Sequence, residues 1–220
     1  MNTRRNLLAG MGAVALGGLL WNRLPVELEH AAAEEADADS RSSYFPNVWL
    51  YTHEGEKVRF YDDLVRGKIV AINMMYVLCT GACPTMTANL RKVQQMLGER
   101  VGQDVFMYSI TLQPEIDRPQ HLKEYVEQQR ILPGWKFLTG SPADIRRLRY
   151  GLGFYDPVPE VDNNLATHTG MLRVGNDRNQ RWTMAPALAD PERIITTINH
   201  VDGAMVHTAY MSGDAAVHLG

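Results

Sequence analysis

The sequence is poor in cysteine and has no marked excess of charge. Cysteine occurs only twice in 220 residues, at Cys79 and Cys83, which excludes a scaffold held together by several disulfide bonds. The formal net charge is −3 at pH 7, and the absence of a basic excess argues against nucleic acid as a main partner. Apolar residues make up 45% of the chain, which is enough to bury the core of an ordinary globular domain.

The N-terminal part of the chain has the features of an export segment. Arg4 and Arg5 precede an apolar run, residues 7–21, of 15 residues, which is shorter than the roughly 20 that a membrane-spanning helix needs. The paired arginines resemble a twin-arginine export signal. We therefore predict a signal peptide or membrane anchor at residues 1–26 and an alanine- and acid-rich linker at residues 27–43. The folded part is expected to be exported, either periplasmic or anchored to the periplasmic face of the inner membrane, with membrane contact only through an uncleaved N-terminal segment.

Strands and helices alternate in the remainder of the chain. A hairpin is predicted with its turn at Glu54-Gly55, followed by a buried strand at 68–77 and a helix with Pro84 in its first turn. Further strands are predicted at 104–110 and 135–138, helices at 118–130, 141–153 and 190–201, and a second hairpin around 175–179. This order predicts an α/β domain at residues 44–200, with a central mixed sheet flanked by helices and an N-terminal hairpin extension. A cysteine motif at the first crossover indicates a thioredoxin-like fold.

The two cysteines lie where the first buried strand passes into a helix. Cys79 and Cys83 are one helical turn apart, so their sulfurs should converge at the C-terminal end of the sheet. A disulfide, a redox couple and a metal clamp are all compatible with this position. A bridge across so short a loop would constrain little of the unfolded chain. The helix dipole alone stabilises a thiolate by only about 0.3–1 kcal/mol, which lowers the pKa of a redox cysteine very little. A bound metal ion, in contrast, deprotonates its own thiol ligands. Cu(I) is the ion that thiolates select best, although they also bind zinc.

Two thiolates leave a metal ion under-coordinated, so a third ligand must come from elsewhere in the chain. Among seven histidines, His168 is the candidate, because it lies just before a predicted strand in the segment "NNLATHTGMLRV". A loop residue at that position can reach across the sheet edge to the cysteines. Spacing alone leaves open whether His168 is a ligand or an ordinary surface histidine.

Two motifs carry a specific resemblance. "VLCTGACP" followed later by "THTGMLRV" resembles the Sco/SenC copper-chaperone family, and the segment 108–145 is similar to the middle region of that family. The resemblance covers residues 44–199 and implies a thioredoxin-like fold. It also implies that Cys79, Cys83 and His168 bind a copper ion, as Cu(I) or Cu(II), with Cu(I) preferred. The copper would be delivered to a respiratory copper enzyme, such as the binuclear copper centre of cytochrome c oxidase.

Two functions remain open within this resemblance. The first is a metallochaperone, which is a binding protein without turnover. The second is an enzyme, a thiol–disulfide oxidoreductase in which Cys79 and Cys83 are the catalytic redox pair that reduces the cysteines of a copper-site apoprotein, with a thiol reductant as a further partner. His168 favours the first function, because a dithiol reductant does not need a histidine.

Some positions depart from the family pattern or add to it. Thr80 stands where the family commonly has proline after the first cysteine, and Gln113 stands where it often has aspartate. Neither change removes a ligand. We expect the second ring nitrogen of the histidine to donate to an acceptor, for which Asp162 is the candidate. The tail, residues 201–220, contains methionines and histidines that could collect copper, but it is expected to be a solvated terminus.

Overall fold

The computed structural model describes residues 44–165 and 170–203, which contain one seven-stranded mixed sheet. Its strands are β1 (Trp49–Thr52), β2 (Lys57–Arg59), β3 (Ile69–Met75), β4 (Val105–Thr111), β5 (Trp135–Gly140), β6 (Met171–Asn176) and β7 (Arg181–Pro186). Their order across the sheet is β2-β1-β5-β4-β3-β6-β7. Strands β3, β4 and β5 run parallel, and the other neighbouring pairs are antiparallel.

The predicted hairpin extension is present and is part of this sheet. Strands β1 and β2 pair around a turn in which Gly55 has a φ of 85°, a conformation that suits glycine. Strand β1 also pairs with β5, with Leu50 opposite Gly140. The hairpin therefore extends one edge of the sheet, and the predicted fold class is confirmed.

Helices cover both faces of the sheet. They are α1 (Ala82–Leu97), α2 (Pro119–Gln128), α3 (Pro142–Gly151), the short α4 (Pro159–Asp162) and α5 (Pro191–Val201), together with a π-helical turn (Phe60–Val65) and a short 3-10 helix (Gly98–Arg100). The side chains of α1, α2 and α5 form one core with one face of the sheet, and α3 and the π-helical turn form a second core with the other face. In the described part of the chain, no helix combines the length and the apolar character needed to cross a membrane.

The central strand and its crossover helix follow directly from their residue pattern. Strand β3 is buried along nearly its whole length, as its continuous apolar run predicts. In α1, Met86, Leu90 and Val93 recur at helical spacing, and each is fully buried. Helix α3 begins at the predicted cap, where the Ser141 side chain accepts a hydrogen bond from the Asp144 amide at 3.1 Å. These elements determine where the chain leaves the sheet and turns into the segment that carries the cysteines.

The second hairpin corrects one boundary. Gly175 was expected to belong to the turn, but it lies within β6, opposite Trp182 of β7. A Cβ atom at this position would lie 1.9 Å from Cε3 of the Trp182 ring. The glycine is therefore required by close packing against an aromatic ring, and the turn begins later in the chain.

Several predictions fall outside the described residues. They concern the signal or anchor at 1–26, the linker at 27–43, nearly all of the tail, and His168. These stay predictions.

Candidate metal centre

The cysteine site begins where β3 ends. After Met75 the chain turns, and the Cys79 amide donates to the Tyr76 carbonyl at 3.3 Å. Helix α1 begins at Ala82, which places Cys83 in its first turn. Cys79 is 7% exposed and Cys83 is fully buried, and no disulfide joins them. Their side chains lie within hydrogen-bonding range of each other, which is the convergence expected from their spacing.

The Cys79 sulfur lies among hydrogen-bond donors. Burial by itself raises the pKa of the Cys79 thiol, but bonds from the Cys83 side chain, the Tyr76 hydroxyl and the backbone amides of Cys83 and Gly81 outweigh it, so the pKa is lowered. The same contact with Cys79 raises the pKa of Tyr76 to about 12. A Cβ atom on Gly81 would lie 3.9 Å from the Cys79 sulfur, which is ordinary van der Waals contact. Among the described residues, it is therefore hydrogen bonds that favour negative charge on this sulfur.

A buried carboxylate holds the turn that carries Cys79. Asp117 is fully buried, and its Oδ2 accepts from the Val77 amide at 3.1 Å and from the Thr111 hydroxyl at 2.6 Å. Neither Asp117 nor Tyr76 was predicted from the sequence. Tyr76 could have been noticed as a hydroxyl three residues before Cys79, but the contact between Asp117 and Val77 spans 40 residues and has no local signal. Gln113, one of the two departures from the family pattern, lies in the same loop as Asp117. The backbone amide of Gln113 donates to the Thr111 hydroxyl.

A polar network lies in the core on the cysteine side of the sheet. The Ser109 hydroxyl donates to Asn73 Oδ1 at 2.7 Å and accepts from Trp135 Nε1 at 2.9 Å. Asn73 Nδ2 in turn lies 3.9 Å from the sulfur of Met86 in α1. The network therefore joins β5, β4 and β3 to the helix that carries Cys83.

Asp162, the candidate acceptor for the histidine, is engaged with other partners. Its carboxylate accepts two hydrogen bonds from Arg149, at 2.8 and 2.7 Å, one from the Tyr150 hydroxyl and one from the Asp156 amide. The bonds from Arg149 and then from Tyr150 hold the pKa of the Asp162 carboxyl well below its usual range. This network ties the segment before residue 166 to α3. Because His168 lies outside the described residues, its predicted contact with Asp162 stays a prediction.

The donor set at the cysteines suits a soft metal ion. Within residues 44–165 and 170–203, no three side chains of histidine, cysteine, aspartate or glutamate come together as a metal site. The two thiols are soft donors that fit Cu(I) better than a hard cation such as Mg²⁺. His168, the third ligand predicted from the sequence, lies among the undescribed residues. The fold and the paired thiols define a thioredoxin-like domain with a dithiol site at the end of its central strand.

Comparison with known proteins assigns this domain to a family. The SCO1/SenC family model matches residues 37–202, which is most of the chain, and the protein belongs to that family. A curated relative, the SCO1 protein homolog of Bacillus subtilis, is 31% identical over 121 residues, which are 52% of this chain and 61% of the relative. The matched stretch thus spans less than two thirds of that relative's length.

Solved structures share the fold at low sequence identity. Copper-bound ScoI of Bradyrhizobium japonicum has a TM-score of 0.54 and 23% identity, with 70% of this chain and 96% of the other covered. BsSco, described as a member of the Sco family of cytochrome c oxidase assembly proteins with a disulfide switch, has a TM-score of 0.57 and 21% identity, with 70% and 90% covered. These similarities establish the thioredoxin-like Sco fold.

Proposed function

We propose that this protein is a metallochaperone that binds copper through Cys79, Cys83 and His168 and delivers it as Cu(I). The observation that carries the proposal is the pair of unbridged thiols at the end of β3, with the Cys79 sulfur surrounded by hydrogen-bond donors. Two sulfurs and one imidazole nitrogen form a three-coordinate set, and soft thiolate ligands select Cu(I).

The recipient is proposed from the family. Copper-bound neighbours and the description of BsSco as a cytochrome c oxidase assembly protein support delivery to a respiratory copper enzyme, such as the binuclear copper centre of that oxidase. We also propose that the folded domain works outside the cytoplasm. The supporting observation is the paired arginines followed by a short apolar run at the N-terminus.

A second function, thiol–disulfide oxidoreductase, is favoured by one observation. Hydrogen bonds lower the pKa of the Cys79 thiol, and a thiolate is the species that attacks a disulfide. The Cys79–Cys83 dithiol would then reduce a disulfide between the recipient's cysteines to two thiols. The dithiol itself becomes a disulfide and needs a thiol reductant to restore it. Both functions use the same two sulfurs.

Titration of the reduced protein with Cu(I), in competition with a chromophoric chelator, separates the two functions. We expect one Cu(I) per chain, a weaker affinity in His168→Ala, and unchanged thermal unfolding of the metal-free variant. His200→Ala is the matched control, because His200 is an exposed histidine near the end of α5, and it should bind copper like the wild type. If His168→Ala binds Cu(I) as tightly as the wild type and still reduces disulfide substrates, the oxidoreductase function is supported instead.

A further inference from the structure

We propose that Asp117 is a positioning residue that holds the cysteine turn in the arrangement that receives copper. This inference rests on the proposed copper-binding function and adds to it a residue that does not itself contact the metal ion. Asp117 would act through the backbone of the turn, which is residues 76–81, and not through either sulfur.

The geometry of Asp117 supports this role. Its carboxylate is fully buried, and burying a charge is unfavourable unless it is compensated by hydrogen bonds. One oxygen, Oδ2, bonds both the Val77 amide in the turn and the Thr111 hydroxyl at the end of β4. Asp117 thus anchors the backbone of the turn to β4 from a loop 40 residues further along the chain. The position of Cys79 relative to the sheet therefore depends on this carboxylate.

The second carboxylate oxygen of Asp117 is buried without a hydrogen bond from the described part of the chain, which is energetically unfavourable. Oδ1 is buried and has no hydrogen-bond partner among the described residues, and the same is true of Oε1 of Gln113 in the same loop. Unsatisfied buried acceptors are rare in proteins and call for an explanation. Keeping a side chain with an acceptor oxygen at this position is explained if Oδ2 is needed to fix the turn.

The chain offers a matched control at the opposite end of β3. Asp177 is 2% exposed, and its Oδ2 accepts from the Gly67 amide at 2.8 Å in the connection that leads into β3. Each of the two buried carboxylates thus fixes the backbone of a loop. Asp117 holds the loop just after β3, and Asp177 holds the loop just before β3. Only the loop held by Asp117 carries a cysteine.

Cu(I) affinity and amide exchange of the reduced protein test the proposal together. In Asp117→Leu we expect the Cu(I) dissociation constant to rise about 10- to 100-fold, which is the usual effect of losing a residue that orients a metal ligand. The Val77 amide of the metal-free variant should exchange with solvent faster than in the wild type. Asp117→Asn keeps an oxygen that can accept the same bonds, so it should recover most of the affinity. Asp177→Leu should lower thermal stability and leave Cu(I) affinity unchanged.

A second variant covers the case in which Asp117→Leu does not fold. Thr111→Val removes the hydroxyl that bonds Oδ2 and keeps the shape of the side chain, so it should loosen Asp117 and weaken Cu(I) binding to a smaller extent. The proposal is overturned if the folded variants bind Cu(I) like the wild type, or if Asp177→Leu loses as much affinity as Asp117→Leu. If the wild type itself binds no Cu(I), the proposed function fails, and exchange of the Val77 amide still reports whether Asp117 holds the turn.

Discussion

The polar network on the cysteine side of the core predicts a large stability loss from a small change, Ser109→Ala. Ser109 is 1% exposed, and its hydroxyl satisfies both Trp135 Nε1 and Asn73 Oδ1, which belong to residues that are each 2% exposed. Removing one oxygen leaves a buried donor and a buried acceptor without their partner. The substitution changes no surface residue and no proposed ligand.

The size of the effect follows from these two groups. A buried polar group that loses its partner costs about 1–3 kcal/mol, and we expect about 2–4 kcal/mol in total, because the two groups can relax toward each other. In a domain of roughly 150–250 residues, each kcal/mol lowers Tm by about 2–4 °C. Ser141→Ala, which removes the exposed cap of α3, should cost only about 1 kcal/mol by comparison.

Urea unfolding of the reduced, metal-free protein, followed by far-UV circular dichroism, measures the loss. In a Trp135→Phe background the donor is already absent, so Ser109→Ala should cost less there, with a coupling free energy in the range of about 0.5–3 kcal/mol. Cu(I) affinity should stay close to that of the wild type, because the cysteine turn keeps its own hydrogen bonds. A loss below about 0.5 kcal/mol, the size expected for a surface substitution, would refute this reasoning.

Two further predictions concern charge. The pKa of the Asp162 carboxyl is lower in the folded protein than its unfolded value near 3.8, so the ionised carboxylate stabilises the fold at any pH above 3.8. This stabilisation is lost as the pH falls through the lower, folded-state pKa. Asp162→Asn should therefore be less stable than the wild type at pH 7, and thermal unfolding at several pH values should show this difference in stability narrowing in acid. A stability difference between the two proteins that stays constant from pH 7 into the acid range would contradict this prediction. The affinity of the reduced protein for Cu(I) should increase as the pH rises from 6 to 8, because the metal ion displaces thiol protons. Competition with a chelator at each pH measures this affinity. An affinity that does not depend on pH would argue against thiol ligation.

Local pattern was sufficient to predict the elements that carry the cysteines. The continuous apolar run of β3 and the helical stripe of α1 each depend on residues close in sequence, and both were placed to within a few residues. The turn at Glu54-Gly55 was also placed correctly, since it requires a glycine with positive φ. The position of Cys79 and Cys83 at a strand-to-helix corner follows from these elements.

Contacts between distant segments could not be predicted from local pattern. The bond between Asp117 and Val77 depends on how two loops meet after folding, and nothing near either residue signals it. Gly175 was assigned to a turn because glycine is common in turns, whereas its packing against the Trp182 ring is a contact across the sheet. The pairing of β1 with β5 is likewise a consequence of the sheet order and not of the hairpin sequence.

The two sulfurs also link the metallochaperone and redox functions. The proposed copper binding needs Cys79 and Cys83 as thiolates, and a disulfide between them would remove both proposed ligands at once. Outside the cytoplasm, where we propose that this domain works, disulfides persist and a bridged protein could not be loaded. The hydrogen bonds to the Cys79 sulfur lower its pKa, and a thiolate is also the species that reacts in disulfide exchange. The hydrogen bonds that would prepare the proposed site for copper therefore also favour its oxidation. We accordingly propose that loading needs a thiol reductant as a partner, whether or not the protein itself reduces another protein.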